Sequence, residues 1–291
     1  MSSVREAYLR ASSFLKERGR AEPERSAELL LMHVLGVSRT RLLAMWSDPV
    51  EEAALERLQE LVMRRAGGEP VQYIVGEAYF LGRRFYVDKQ VLIPRPETEL
   101  LVERALLLGD ELWGEAGSPL VADLGTGSGA IAVSLAAERP AWRAAACDIS
   151  PGALGVARRN AEAHGVLERI AFLEGDWLEP LVAAFGAGGI DAVVANPPYI
   201  PTEECGRLQI EVSGYEPPAA LDGGADGMDP YRTILKQMKA YGVQPRLAAF
   251  ECGLGQAQEL SRMLREFGLW PEVSIVEDFA GIERHVIGVR R

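Results

Sequence analysis

Up to about residue 70, apolar positions recur at the spacing of amphipathic helices. Leu29, Leu30, His33 and Val34 form one stripe, and Leu55, Leu58, Leu61 and Val62 another. Ser38 and Asp48 stand where helix caps belong, with Pro49 suited to a first helical turn. RRAGGEP (Arg64–Pro70) closes the last of these helices. The pattern predicts a small helical bundle over residues 1–70. A linker over 71–95 contains YFLGRRFYV (Tyr79–Val87), two aromatic-rich arms around Gly82, which signals a β-hairpin. Pro94 and Pro96 delay the next helix to about Glu97, after which Leu100, Leu101, Arg104 and Ala105 keep helical spacing.

From Leu120 the rhythm changes to short apolar runs alternating with helical stretches. Strands are expected at Leu120–Leu124, Ala144–Ile149, Ile170–Leu173, Ala192–Ala195, Ala248–Glu251, Val273–Val276 and Val286–Val289. Helices are expected at Ala130–Glu138, Gly152–Ala163, Tyr231–Tyr241 and Gln256–Phe267. Such alternation predicts an α/β domain over 96–291, with a parallel sheet covered by helices on both faces. The short link Glu277–His285 makes the final strand antiparallel.

Composition narrows the class. The chain has 291 residues, enough for two domains, and its 48% apolar and 25% charged content is that of a globular protein. No apolar run is long enough to span a bilayer, and the first twenty or so residues lack a signal-peptide core, so a cytoplasmic protein is expected. Cys147, Cys205 and Cys252 are scattered, as are His33, His164 and His285, so neither a disulfide framework nor a metal site is expected. The net charge of −11 is unevenly spread: 13 basic against 12 acidic side chains up to Arg84, then 18 against 30. An acidic body repels a polyphosphate backbone, which argues against nucleic acid as the main partner of the larger domain.

Candidate chemistry falls at the ends of successive strands. Gly125, Gly127 and Gly129, with Thr126 and Ser128 between them, follow one strand and open a helix. Their Gly-x-Gly-x-Gly spacing suits S-adenosylmethionine better than a dinucleotide, which wants Gly-x-Gly-x-x-Gly. Asp148 ends the next strand, where a carboxylate accepts the hydroxyl hydrogens of a ribose; either cofactor would use it. Asp176 and Trp177 follow the third strand and could bond and cover an adenine, or could be a cap beside a core tryptophan. Asn196-Pro197-Pro198-Tyr199 ends the fourth. The Asn196 side-chain carbonyl and the Pro197 backbone carbonyl supply two acceptors, and the prolines fix φ. Two acceptors on one planar NH₂ would orient it for methyl transfer and stabilise its developing charge, while Tyr199 gives a flat face for stacking. No general base is required, because the proton becomes acidic only after transfer. Adenine, guanine and a glutamine amide all remain possible substrates on this chemistry.

Over nearly its whole length the chain resembles the release factor glutamine methyltransferase family. The resemblance rests on EPVQYIVGEAYFLGRRFYVDKQVLIPRPETELLVE, DLGTGSGAIAVSLA, EGDWLEPL, VVANPPYI, YEPPAALDGGADGMDPYR, FECGLGQAQEL and VEDFAGIERHVIGVR. It implies a Rossmann-like seven-stranded methyltransferase sheet that uses S-adenosylmethionine and releases S-adenosylhomocysteine. It implies N5-methylation of the glutamine in the Gly-Gly-Gln loop of class I peptide chain release factors. It sets Gly125–Gly129 at the methionine end of the cofactor, Asp148 at the ribose, Trp177 by the adenine, and Asn196–Tyr199 on the glutamine amide. It also brings Ile93–Glu99, including Arg95, near the substrate, where Glu97 and Glu99 could equally be first-turn helix charges. A monomer is expected, with the helical domain recognising the substrate through a cluster of Arg10, Lys16, Arg18, Arg20 and Arg25. The rival readings are an adenine or guanine amino-methyltransferase, a nicotinamide oxidoreductase, and a binding module without activity.

Overall fold

The computed structural model describes residues 2–114 and 116–291, and these form two compact units. The first runs to Glu77 and also takes in Leu208–Tyr215; the second comprises Ala78–Arg207 and Glu216–Arg291.

The first unit is helical. Val4–Glu17 starts on a capping box, in which the Ser3 hydroxyl accepts from Glu6 N and the Glu6 carboxylate accepts from Ser3 N. Ser38 caps Arg39–Ala44, as expected. Asp48 does not cap a helix. Pro49 bridges Ser3 as extended chain and Val50 N bonds Ser2 O, so the next helix starts only at Glu52. On Pro23–Leu35 the buried stripe is Ala27, Leu30 and Leu31; His33 faces solvent. These residues pack with Leu15, Leu42, Leu58, Leu61 and Val62.

Arg65 lies inside this unit and is almost fully buried. Its guanidinium donates to Glu211 (3.0 Å), to the Ser26 hydroxyl (3.2 Å) and to the Ala21 carbonyl (3.1 Å). Glu211 sits on the short helix Ile210–Ser213, so this pair fastens a distant piece of chain to the bundle. Removing Arg65 leaves Glu211 with only the longer pair to Arg20 (3.6 Å) and strips the Ser26 hydroxyl and the Ala21 carbonyl of their donor. Arg65→Ala is expected to lower the unfolding free energy by about 3 kcal/mol, read from urea denaturation of the whole chain.

The second unit opens within β1 (Glu77–Phe80), which forms the expected hairpin with β2 (Arg83–Tyr86), turning at Leu81 and Gly82, both with positive φ. The main sheet contains β3 (Leu120–Leu124), β4 (Arg143–Asp148), β5 (Ile170–Glu174), β6 (Ala192–Ala195), β7 (Leu247–Glu251), β8 (Glu272–Glu277) and β9 (Glu283–Val289). Their order is β5-β4-β3-β6-β7-β9-β8, parallel from β5 to β7, with β9 antiparallel to both of its neighbours. Side chains alternate between faces, and both faces are buried, which explains why the inner strands read as unbroken apolar runs. Val121, Ala144, Val194 and Ala249 face a core with Leu101, Ile131 and Val133. Ala122, Ala145, Val193 and Ala248 face the opposite core with Leu181, Ile234 and Leu260. The strand order reverses between β3 and β6, the point where such sheets open a crevice at their carboxyl ends.

Candidate active site

A cleft opens at that crevice. Gly125, Gly127, Asp148, Trp177, Asn196 and Pro198 line it, and so does Asp176. Residues singled out at four strand ends thus meet at one rim.

The floor is the glycine loop. Gly125, Gly127 and Gly129 all have φ between +53° and +80°, which costs any residue with a Cβ. Space above Gly127 is open, so a side chain there would enter the cleft. Thr126, Ser128 and Gly129 shape the loop without lining the cleft. The Thr126 hydroxyl turns inward and donates to Asp123 (2.5 Å), Ser128 is buried, and Gly129 packs on Ala157. Asp123, which the sequence reading passed over, is wholly buried and also accepts from Ala132 N (3.0 Å). Burial pushes its carboxyl up to about 7. Asn160, also passed over, donates to the Ser128 and Tyr86 carbonyls and ties the loop to the hairpin.

Asp148 stands at the end of β4 with Oδ2 accepting from Gly127 N (2.9 Å) and Oδ1 from Ser150 N (2.9 Å). Each carboxylate oxygen keeps a further acceptor site. Ser150, not Asp148, caps the following helix, accepting from Ala153 N. Desolvation raises the Asp148 pKa, and those backbone N–H groups hold it back. Trp177 adopts φ +50°, a strained value for its type, and its ring lies beside Gly125. Gln237 pins this turn, donating to Asp176 (3.2 Å) and accepting from Leu178 N (2.9 Å).

Asn196 ends β6. Its Nδ2 donates to the Thr98 hydroxyl (3.0 Å), and among the described residues none donates to its Oδ1 or to the Pro197 carbonyl. Pro197 is buried, and Tyr199 lies beside the cleft rather than in its lining. The Tyr199 ring packs near Gly253, where a methyl would sit 3.1 Å from Cδ2. Its carbonyl accepts from Gln256 Nε2 (2.8 Å). Gly223 and Gly227 let the loop after Leu221 press against Pro198 and Tyr199; a Cβ at either would clash with that backbone.

The Ile93–Glu99 segment divides its labour. Arg95 pairs with the buried Glu216 (2.5 Å), so its charge is engaged within the protein. Burial raises the Glu216 pKa and Arg95 draws it back. Glu99 accepts from Leu81 N in the hairpin turn (2.8 Å), and the Glu97 carbonyl bonds His285 Nε2 (3.0 Å). Thr98, unremarked in the sequence, is the residue that reaches Asn196.

Family comparisons bear on this geometry. Residues 6–76 match the model described as the PrmC N-terminal domain, and residues 105–208 match the methyltransferase small domain. The release factor glutamine methyltransferase of Chlorobaculum tepidum is 42% identical over 97% of this chain and 95% of its own. The protein of that name from Bacillus subtilis is 39% identical over 98% and 97%. The chain belongs to the release factor glutamine methyltransferase family. Two human structures share the fold at 17% identity. The methyltransferase 10 domain containing protein has a TM-score of 0.53 over 72% of this chain and 88% of that one. The N-terminal domain of METTL16 in complex with SAH has a TM-score of 0.50 over 84% of each. Within the family frame, the matched methyltransferase region contains the glycine loop, Asp148, Trp177 and Asn196–Tyr199, and it stops before Glu251.

Proposed function

We propose that the protein methylates the side-chain nitrogen of the glutamine in the Gly-Gly-Gln loop of class I peptide chain release factors, with S-adenosylmethionine as donor and S-adenosylhomocysteine as product. The observation that carries this reading is the free Asn196 carbonyl in a cleft that also holds Asp148 and the glycine loop. The names of the two bacterial relatives support it.

The residues present suit that donor. Asp148 retains acceptor sites for two ribose hydroxyls, and open space over Gly127 admits a chain of atoms against the backbone. Asp176 and Trp177 are read as the adenine end. When bound, S-adenosylmethionine supplies an electrophilic methyl group on a sulfonium. Asn196 Oδ1 and the Pro197 carbonyl accept the two hydrogens of the glutamine NH₂. That fixes the plane of the amide and favours the positive charge that grows on its nitrogen. Pro198 and Tyr199 wall the approach, and Arg95, one of whose donors is engaged by Glu216, is read as lying near the substrate.

No helix among the described residues is long and apolar enough to cross a membrane. The reaction is read as cytoplasmic and the enzyme as a monomer. The helical unit is read as the part that recognises the release factor. Within it Arg25 is already paired with Glu28, and Arg18 lies over Phe14.

Incubation with methyl-labelled S-adenosylmethionine and either purified release factor or nucleic acid tests the reading. Label is expected in the release factor, and mass spectrometry should find one added methyl on the Gly-Gly-Gln peptide. Label in nucleic acid alone would transfer the proposal to an amino-methyltransferase of bases.

A further inference from the structure

Behind Asn196 runs a chain of polar groups that the reaction as read so far does not use. Thr98 Oγ donates to Glu251 Oε2 at 2.6 Å and receives Asn196 Nδ2 at 3.0 Å. A threonine hydroxyl has one hydrogen. With that hydrogen committed to a carboxylate, the oxygen can only accept, so the Asn196 group facing it must be the NH₂. The amide oxygen is thereby turned away from Thr98, toward the cleft. Glu251 is nearly inaccessible at the end of β7, and Tyr231 steadies it by donating to its backbone carbonyl (2.7 Å).

We propose that Thr98, anchored by Glu251, is a positioning residue for methyl transfer: it selects the Asn196 rotamer whose oxygen faces the substrate amide. This rests on the function proposed above and extends it to two further residues, Thr98 and Glu251.

The charge on Glu251 sets the direction of the chain. As a carboxylate it takes the Thr98 hydrogen; protonated on Oε2 it would donate instead, and Thr98 would then donate to Asn196 and draw its oxygen away from the cleft. Burial pushes the Glu251 carboxyl up to about 7; the Thr98 hydrogen bond, Arg284 and Arg95 pull it down and Glu97 pushes it up. His285 lies 3.9 Å from Glu251, but burial holds its pKa down to about 4, so at neutral pH it is an uncharged ring donating to the Glu97 carbonyl. Tyr199 and Cys252, also nearby, are kept protonated by burial.

Three variants of the full chain test this with release factor and S-adenosylmethionine. Thr98→Val leaves the Asn196 NH₂ facing a methyl group, which favours the flipped amide; kcat should fall on the order of 10- to 100-fold. S-adenosylmethionine affinity by calorimetry should not change, and Thr98→Ser should restore kcat to within about three-fold of the parent, since it keeps the hydroxyl. The parent kcat should rise about ten-fold from pH 6 to pH 8, and Glu251→Gln should abolish that step. Parental kcat in Thr98→Val, a Thr98→Ser variant as slow as Thr98→Val, or a pH step retained in Glu251→Gln each overturns the proposal. If Thr98→Val does not fold, by thermal melting, the pH profile of Glu251→Gln decides. A parent enzyme that leaves the release factor unlabelled defeats the functional reading itself, and is a separate outcome.

Discussion

Asn196→Ala is expected to bind S-adenosylmethionine as the parent does and to turn over about 10²- to 10³-fold more slowly. The physical basis is a division between two ends of one cleft. Among the described residues the Asn196 side chain makes no hydrogen bond to the glycine loop or to Asp148; its one bond is to Thr98. On the proposed reading, truncation therefore removes an acceptor for the substrate amide and leaves Asp148 and the glycine loop intact. An amide nitrogen is a poor nucleophile, so the rate depends on holding its plane and accepting its hydrogens as positive charge builds. Losing one such oriented group in other enzymes costs the range quoted. Calorimetry with the cofactor and single-turnover methylation of release factor separate the two effects. A large loss of cofactor affinity in this variant would mean that Asn196 belongs to the cofactor site.

Asp148→Ala should show the opposite pattern, weakening S-adenosylmethionine binding by about 10²-fold or more, on the scale of two charge-assisted hydrogen bonds. The carboxylate does two jobs. On the proposed reading it offers acceptors to the ribose hydroxyls; it also clamps Gly127 N and Ser150 N, so its removal is expected to loosen the glycine loop. Asp148→Asn separates these roles, because an amide has only one acceptor oxygen. It should keep one backbone bond and bind with intermediate affinity. At saturating cofactor both variants should recover much of kcat, since neither touches Asn196. Unchanged cofactor affinity in Asp148→Ala would reduce Asp148 to a loop brace.

The contrast between Arg95 and Thr98 shows where sequence reading stops. Both lie in the same short motif. Arg95 drew attention because a guanidinium so placed could bind substrate, yet the fold pairs it with Glu216. Thr98 drew none, because a lone threonine in a first helical turn has no local signature. Its meaning comes from Asn196 and Glu251, which lie 98 and 153 positions away along the chain. The same limit applied to Thr126 and Ser128. Their place in the glycine loop was readable, but the inward turn of the Thr126 hydroxyl depended on Asp123, and the bond that holds the Ser128 carbonyl came from the distant Asn160. Nor did local pattern reveal that Leu208–Tyr215 joins the helical unit, where Glu211 pairs with the buried Arg65 and with Arg20 and the Tyr215 hydroxyl donates to the Gly67 carbonyl.

The sequence by itself determined the alternation of strands and helices, and with it the rim where four strand ends carry Gly125–Gly129, Asp148, Asp176–Trp177 and Asn196. Strands that run parallel all end at the same edge of the sheet, so local pattern suffices to gather these residues. Only the tertiary structure decided which polar groups face one another across that edge: Thr98 between Asn196 and Glu251, Arg95 on Glu216, Tyr199 on Gln256. Hydrophobic periodicity specifies which side of an element is buried. It carries no information about which donor on a distant element will meet a given acceptor, and that pairing is set by packing of the whole core.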